Sequence, residues 1–122
     1  MQVVSQIAQQ LAELHAAGYI HRDLKPANVM YLEQEQRWAL FDFGCAAVAG
    51  RSAPLRFSLA YAAPEVVVNA RDPDCDGTML VLPELDAWSL GLMAYEVLMG
   101  ERAFGSRTRT RSEVCFQVVP CF

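Results

Sequence analysis

His21-Arg22-Asp23-Leu24-Lys25-Pro26-Ala27-Asn28 is a polar run enclosed by apolar sequence on both sides. Upstream, Val3, Val4, Ile7, Leu11 and Leu14 recur at three- and four-residue steps, with Gln6, Gln9, Gln10 and Glu13 between them. That period predicts an amphipathic helix over 3–17. Gly18 supplies the left-handed residue that ends such a helix, and Tyr19-Ile20 makes a short extended step into the polar run. Downstream, residues 29–32 and 38–41 read as two short strands joined by the polar turn Glu33-Gln34-Glu35-Gln36. The second strand delivers its end to Asp42, so two loops converge at one end of a hairpin.

Residues 44–64 are rich in Ala, Gly, Ser and Pro without helical or strand period. They predict a long irregular segment, of the kind that is usually functional, closed by Ala63-Pro64-Glu65. The stretch 69–78 carries Asp72-Pro73-Asp74 and Asp76-Gly77, turn chemistry that predicts an exposed, inserted loop. From Pro83, well placed in a first helical turn, to Met99, apolar residues occupy nearly every face, which predicts a helix buried on all sides. Gly100 stops it. The expected fold class is mainly α with a short β-hairpin.

The polar run, Asp42-Phe43-Gly44 and Ala63-Pro64-Glu65 stand in the order of the signature set of the protein kinases, which the chain resembles over about residues 1–104. Any one of these short motifs alone is chance more often than signal; together and in order they are specific. The resemblance implies the larger, C-terminal lobe of a kinase, with the small N-terminal lobe absent, and makes residues 105–122 a divergent or truncated basic tail. The residue types suit phosphoryl transfer, which needs a carboxylate to orient a hydroxyl, a cation for the phosphate in flight and a neutral oxygen ligand for magnesium. Asp42, at the end of the facing strand, can hold the metal from the other side, since magnesium takes one or two carboxylates plus phosphate oxygens and water.

Carried over residue by residue, the resemblance makes Asp23 the catalytic group that accepts or orients the substrate hydroxyl proton. Asn28 and Asp42 become the Mg2+ ligands, and Lys25 the cation that neutralises the transferring phosphate of ATP. Lysine followed by Pro26 looks like the serine/threonine branch of the family. Ser58 matches a hydroxyl that bonds the catalytic aspartate and lysine, where threonine is more usual. Arg22 resembles the loop arginine that grips a phosphate on the activation segment. Many relatives phosphorylate the position held here by Pro54, which leaves Ser52 as the nearest hydroxyl and the candidate regulatory site. Asp86 looks like the aspartate that anchors a central buried helix to the backbone of the catalytic loop, because a buried carboxylate needs donors. His21 and Phe43 match a stacked apolar spine, and Met30 the floor under adenine. Glu65 resembles a glutamate paired with a late arginine, which this sequence does not identify.

With 122 residues, 53% hydrophobic and 20% charged, and a mean hydropathy of +0.15, the chain suits one domain with a core rather than a disordered tail. A net charge of −4 and a pI near 5.0 give no long-range attraction to phosphate backbones or anionic lipid, so neither nucleic acid nor membrane is an expected partner. The apolar stretch ending at Met99 is shorter than the roughly 20 residues a bilayer requires. Cys45, Cys75, Cys115 and Cys121 form no C-x-x-C pair and read as reduced thiols of an intracellular, cytoplasmic protein. Cys45 in particular reads as a small filler. Arg107-Thr108-Arg109-Thr110-Arg111 reads as a solvated basic run.

The chain shows no G-x-G-x-x-G and no V-A-I-K, and Lys25 is its only lysine. It therefore looks like a fragment, inactive on its own, whose small lobe would come in cis or from a partner in trans. Without that lobe Val29, Met30, Tyr31 and Phe43 should form an exposed apolar patch. The expected activity is transfer of the γ-phosphate of ATP to serine or threonine hydroxyls of a protein substrate. Two alternatives stay open: a kinase-like binding or regulatory module that has lost catalysis, and a small-molecule phosphotransferase of similar fold, which usually lacks Ala-Pro-Glu.

Overall fold

A computed structural model describes residues 2–104 of the chain. The basic run and the other expectations for 105–122 lie outside the described residues. Three α-helices, α1 (Gln2–Ala16), α2 (Pro64–Arg71) and α3 (Glu84–Met99), combine with three two-stranded antiparallel sheets. α1 turns Ile7 and Leu11 inward and ends at Gly18, whose φ of 90° is the left-handed geometry expected there. β1 (Tyr19–Ile20) follows and leads into the polar run.

The hairpin forms as its pattern predicts, from β2 (Val29–Leu32) and β3 (Arg37–Leu40), with Val29 opposite Leu40 and Leu32 opposite Arg37. The outer edge of β3 does not face water. Gln6 accepts from the Trp38 amide at 2.7 Å, and Gln10 both donates to the Trp38 carbonyl at 2.8 Å and accepts from the Leu40 amide at 3.0 Å. Two α1 glutamines thus replace the strand that an open edge would otherwise recruit.

Two apolar clusters carry the packing and flank the polar run. Ile7, Leu11, Leu24, Leu40 and Met93 form one; Ile20, Phe57, Ala63, Val66, Met79, Val81 and Leu85 form the other. Each fully buried large apolar side chain contributes about 1.5–3 kcal/mol. Ile20 and Leu24 stand on either side of His21-Arg22-Asp23, so the loop is held between the clusters.

The structure corrects the segment 44–64. It contains β4 (Ala47–Val48), paired with β1, and β5 (Ser52–Pro54), paired with β6 (Thr78–Leu80), followed by a 3-10 turn over Leu59–Tyr61. These strands carry little β propensity of their own; their backbone groups pair because distant segments lie beside them. The exposed loop is also shorter than expected, since α2 runs to Arg71 and Thr78 already begins a strand.

The helix expected over 83–99 forms, but it is not buried on all sides. Leu85, Asp86, Ser89 and Met93 face inward, whereas Trp88, Tyr95, Val97, Leu98 and Met99 are exposed. An apolar sequence buries a helix only where neighbours exist to cover each face. Met30, Tyr31 and Phe43 are exposed as expected, while Val29 instead packs against the first cluster. Cys45 is buried, and Cys75 is a free thiol. Among the described residues no helix is long and apolar enough to cross a membrane.

Candidate active site

Asp86 explains how the polar run keeps its shape. Its carboxylate, fully buried near the start of α3, accepts the His21 amide at 2.8 Å, the Arg22 amide at 2.9 Å and His15 Nε2 at 2.7 Å. The two backbone bonds tie the polar run to α3. They hold Arg22 at φ 71°, a left-handed conformation that a side chain makes costly. His15 was not foreseen. Its only sequence cue is a histidine in the last turn of an amphipathic helix, and its partner lies far along the chain.

His21 links the run to the second loop. A carbonyl can only accept, so the 2.9 Å contact between His21 Nε2 and the Phe41 carbonyl makes Nε2 the protonated nitrogen. Nδ1 accepts the Asp23 amide at 3.1 Å, which fixes a neutral ring with a defined tautomer. Phe43 meets that ring edge-on, with centroids 5.3 Å apart at 70°. The Phe41 amide donates to the Asn28 carbonyl at 2.7 Å, so both ends of the run are tied to the strand that delivers Asp42.

Asp23, Lys25, Asn28 and Ser58 form one hydrogen-bonded group. Ser58 donates to Asp23 Oδ1 at 2.9 Å and accepts from Lys25 Nζ at 3.0 Å, and the ammonium lies 3.5 Å from the same carboxylate oxygen. Asn28 Nδ2 donates to the Asp23 carbonyl at 2.7 Å and to Oδ2 at 3.1 Å. Asp23 and Asn28 are buried, and Lys25 is half-buried. Both Asn28 bonds use the amide nitrogen, which presents its oxygen as the atom able to take a cation. Asp42 is exposed, sits at φ 57° and accepts the Gly44 amide at 3.1 Å.

The remaining expected positions are more dispersed. Met30 is exposed on β2, Glu65 is exposed in the first turn of α2, and Ser52 is exposed on β5. The Arg22 guanidinium donates to the Pro54 carbonyl, and its Nε is buried without a partner among the described residues. Burial lowers the Arg22 pKa, with Arg56 adding to that shift and Asp86 opposing it.

Glu96 is paired with the Tyr61 hydroxyl, and Arg102 lies over that ring at 5.9 Å. Burial, followed by the hydrogen bond to Glu96 and its charge, pushes the Tyr61 phenol up to about 12.

A family model described as a protein kinase domain matches residues 1–119. A calcium and calcium/calmodulin-dependent serine/threonine-protein kinase of Lilium longiflorum is 39% identical over 81% of this chain and 18% of its own length. A maternal embryonic leucine zipper kinase of Danio rerio is 38% identical over 78% of this chain and 14% of its own. A hormonally up-regulated neu tumor-associated kinase of Mus musculus is 35% identical over 83% and 14%. The chain thus spans less than a fifth of the length of these relatives.

Proposed function

The chain belongs to the protein kinase family, and on that premise we propose that it is the larger, C-terminal lobe of a serine/threonine protein kinase. The observation that carries this reading is the Asp23–Ser58–Lys25 group, in which one hydroxyl joins a carboxylate to an ammonium within hydrogen-bond distance. Asp23 Oδ2 and Oδ1 are held by Asn28 and Ser58, so the carboxylate is oriented before substrate arrives. Asp23 accepts the proton of an incoming serine or threonine hydroxyl, and Lys25 stabilises negative charge on the transferring phosphoryl group of ATP.

The donor set fits magnesium. Asp42 and Asn28 offer a carboxylate and an amide oxygen, both hard ligands, and among the described residues no three His, Cys, Asp or Glu converge on one point. Asn28 and Asp42 would hold Mg2+ with phosphate oxygens and water completing its shell. A bound Mg2+ supplies charge neutralisation on the phosphates. Exposed Met30, Tyr31 and Phe43 suit contact with the adenine and with a small lobe, supplied in cis or in trans. An intracellular, cytoplasmic setting is part of the same proposal.

The test is incubation of the longest natural form of the protein with magnesium, γ-labelled ATP and a degenerate peptide library, followed by identification of the labelled amino acid. Label on serine or threonine is the expected result. Label on tyrosine, on a small molecule, or on nothing would overturn the reading.

A further inference from the structure

We propose that residues 50–55, the segment leading to Ser58, are held in their working conformation by a backbone ladder to residues 77–81 and by Arg22, so that activity needs no phosphate on this segment. The proposal rests on the kinase reading and goes beyond it, since it concerns what replaces a phosphate. The ladder pairs Ser52 with Leu80, Ala53 with Met79 and Pro54 with Thr78. Beyond the strand ends, the Gly50 amide donates to the Val81 carbonyl at 2.8 Å and the Val81 amide to the Arg51 carbonyl at 3.0 Å. At the other end the Leu55 amide donates to the Gly77 carbonyl at 2.8 Å.

The side chains fasten the same segment. Met79 and Val81 are buried in the cluster that contains Phe57, and Ala53 and Leu55 pack against it. The segment is therefore tied into the fold through both its backbone and its apolar side chains. An ordering phosphate gains its effect by supplying acceptors to arginine. Here the Pro54 carbonyl already accepts from Arg22. Position 54 has no hydroxyl to modify, and Ser52 stands exposed on β5.

Two observations point the other way: Arg22 Nε is buried without a partner among the described residues, and the like charge of Arg56 acts on the Arg22 guanidinium. Arg22, Arg56 and Ser58 line one cavity, which has room for water. The dephosphorylation experiment below decides between the two readings. The proposal differs from the expectation that Ser52 regulates the protein by phosphorylation.

Gly77 gives a variant that weakens the ladder without opening the core. It sits at φ 81° on the surface, and a Cβ there would meet nothing within 4 Å, so Gly77→Val strains only the backbone. Two measurements on the longest natural form test the proposal. In the first, phosphatase removes every phosphate from residues 50–56, verified by mass, and peptide phosphorylation is compared before and after; Ser52→Ala is assayed beside it. Unchanged activity is expected in both. Activity lost on dephosphorylation and regained on rephosphorylation would overturn the proposal.

In the second, amide exchange is followed at Leu55 and Val81. Both should be protected in the dephosphorylated protein, and Gly77→Val should speed Leu55 exchange by about ten- to hundredfold, the opening penalty of a β-branched residue at positive φ. Exchange at loop rates in the parent protein would also overturn the proposal. Absence of phosphate transfer in both states, with these amides protected, refutes the kinase reading and leaves the ladder standing.

Discussion

Replacing Asp86 with alanine removes the acceptor for two buried backbone amides, those of His21 and Arg22. A buried donor left unsatisfied costs about 1–3 kcal/mol, so the pair costs about 2–6 kcal/mol. His15 adds little, because its side chain is 22% exposed and can turn to water. Against a total stability of about 5–15 kcal/mol for a domain, the loss is a large fraction. It also frees Arg22 from φ 71°, since the bond that offsets the strain is gone, and the turn that places Asp23 relaxes with it. Asp86→Asn should cost less than alanine, because one oxygen remains to accept an amide while the new NH2 group faces a donor. Urea unfolding of the three proteins measures the stabilities, and amide exchange at His21 and Arg22 reports the loop. If Asp86→Ala unfolds within about 0.5 kcal/mol of the parent, with both amides still protected, the anchoring argument is wrong.

Other consequences can be checked separately. Gln10→Ala should lose about 1–3 kcal/mol and expose the Leu40 amide to exchange, because both of its bonds to β3 disappear; unchanged Leu40 protection would contradict the edge-capping role. Tyr61 has its folded pKa raised from 10.0 to about 12, so its contribution is fully present below pH 10 and is lost as pH rises through the folded value. Ultraviolet titration of the phenolate should therefore find a midpoint well above 10.0 that moves back toward it in Glu96→Gln; a midpoint unmoved by that change would rule out the pairing. Ser58→Ala should lower kcat by about ten- to hundredfold through loss of Asp23 and Lys25 positioning, and Ser58→Thr should restore it. Failure of threonine to restore activity would argue against a role for the hydroxyl.

The helix α1, the β2–β3 hairpin and the loop from His21 to Asn28 were legible because each carries its own period, turn residues or ordered motif. So was the joining of Asp23, Lys25 and Ser58, which the resemblance implied and the geometry brings together. What escaped is long-range and carried by backbone. β4 and β5 are built from Ala, Val, Ser and Pro, and nothing in such a run says which strand lies beside it. β6 was hidden by the aspartates before it, whose side chains do make turns: Asp72 accepts from the Asp74 amide and Asp76 from that of Thr78. Gln6 and Gln10 looked like solvent-facing positions of an amphipathic helix, yet their amides reach a strand edge. α3 misled in the opposite sense, since its apolar residues outnumber the faces that described neighbours cover.

The central claim is that Asp23 orients a hydroxyl for attack on the γ-phosphate while the nucleotide is held elsewhere. Single-turnover phosphate transfer by Asp23→Asn, at saturating magnesium and ATP in the longest natural form, tests it most directly. The account predicts a rate lower by about 10²–10⁴-fold with nucleotide affinity nearly unchanged. A rate equal to the parent's, with the same affinity, would contradict it.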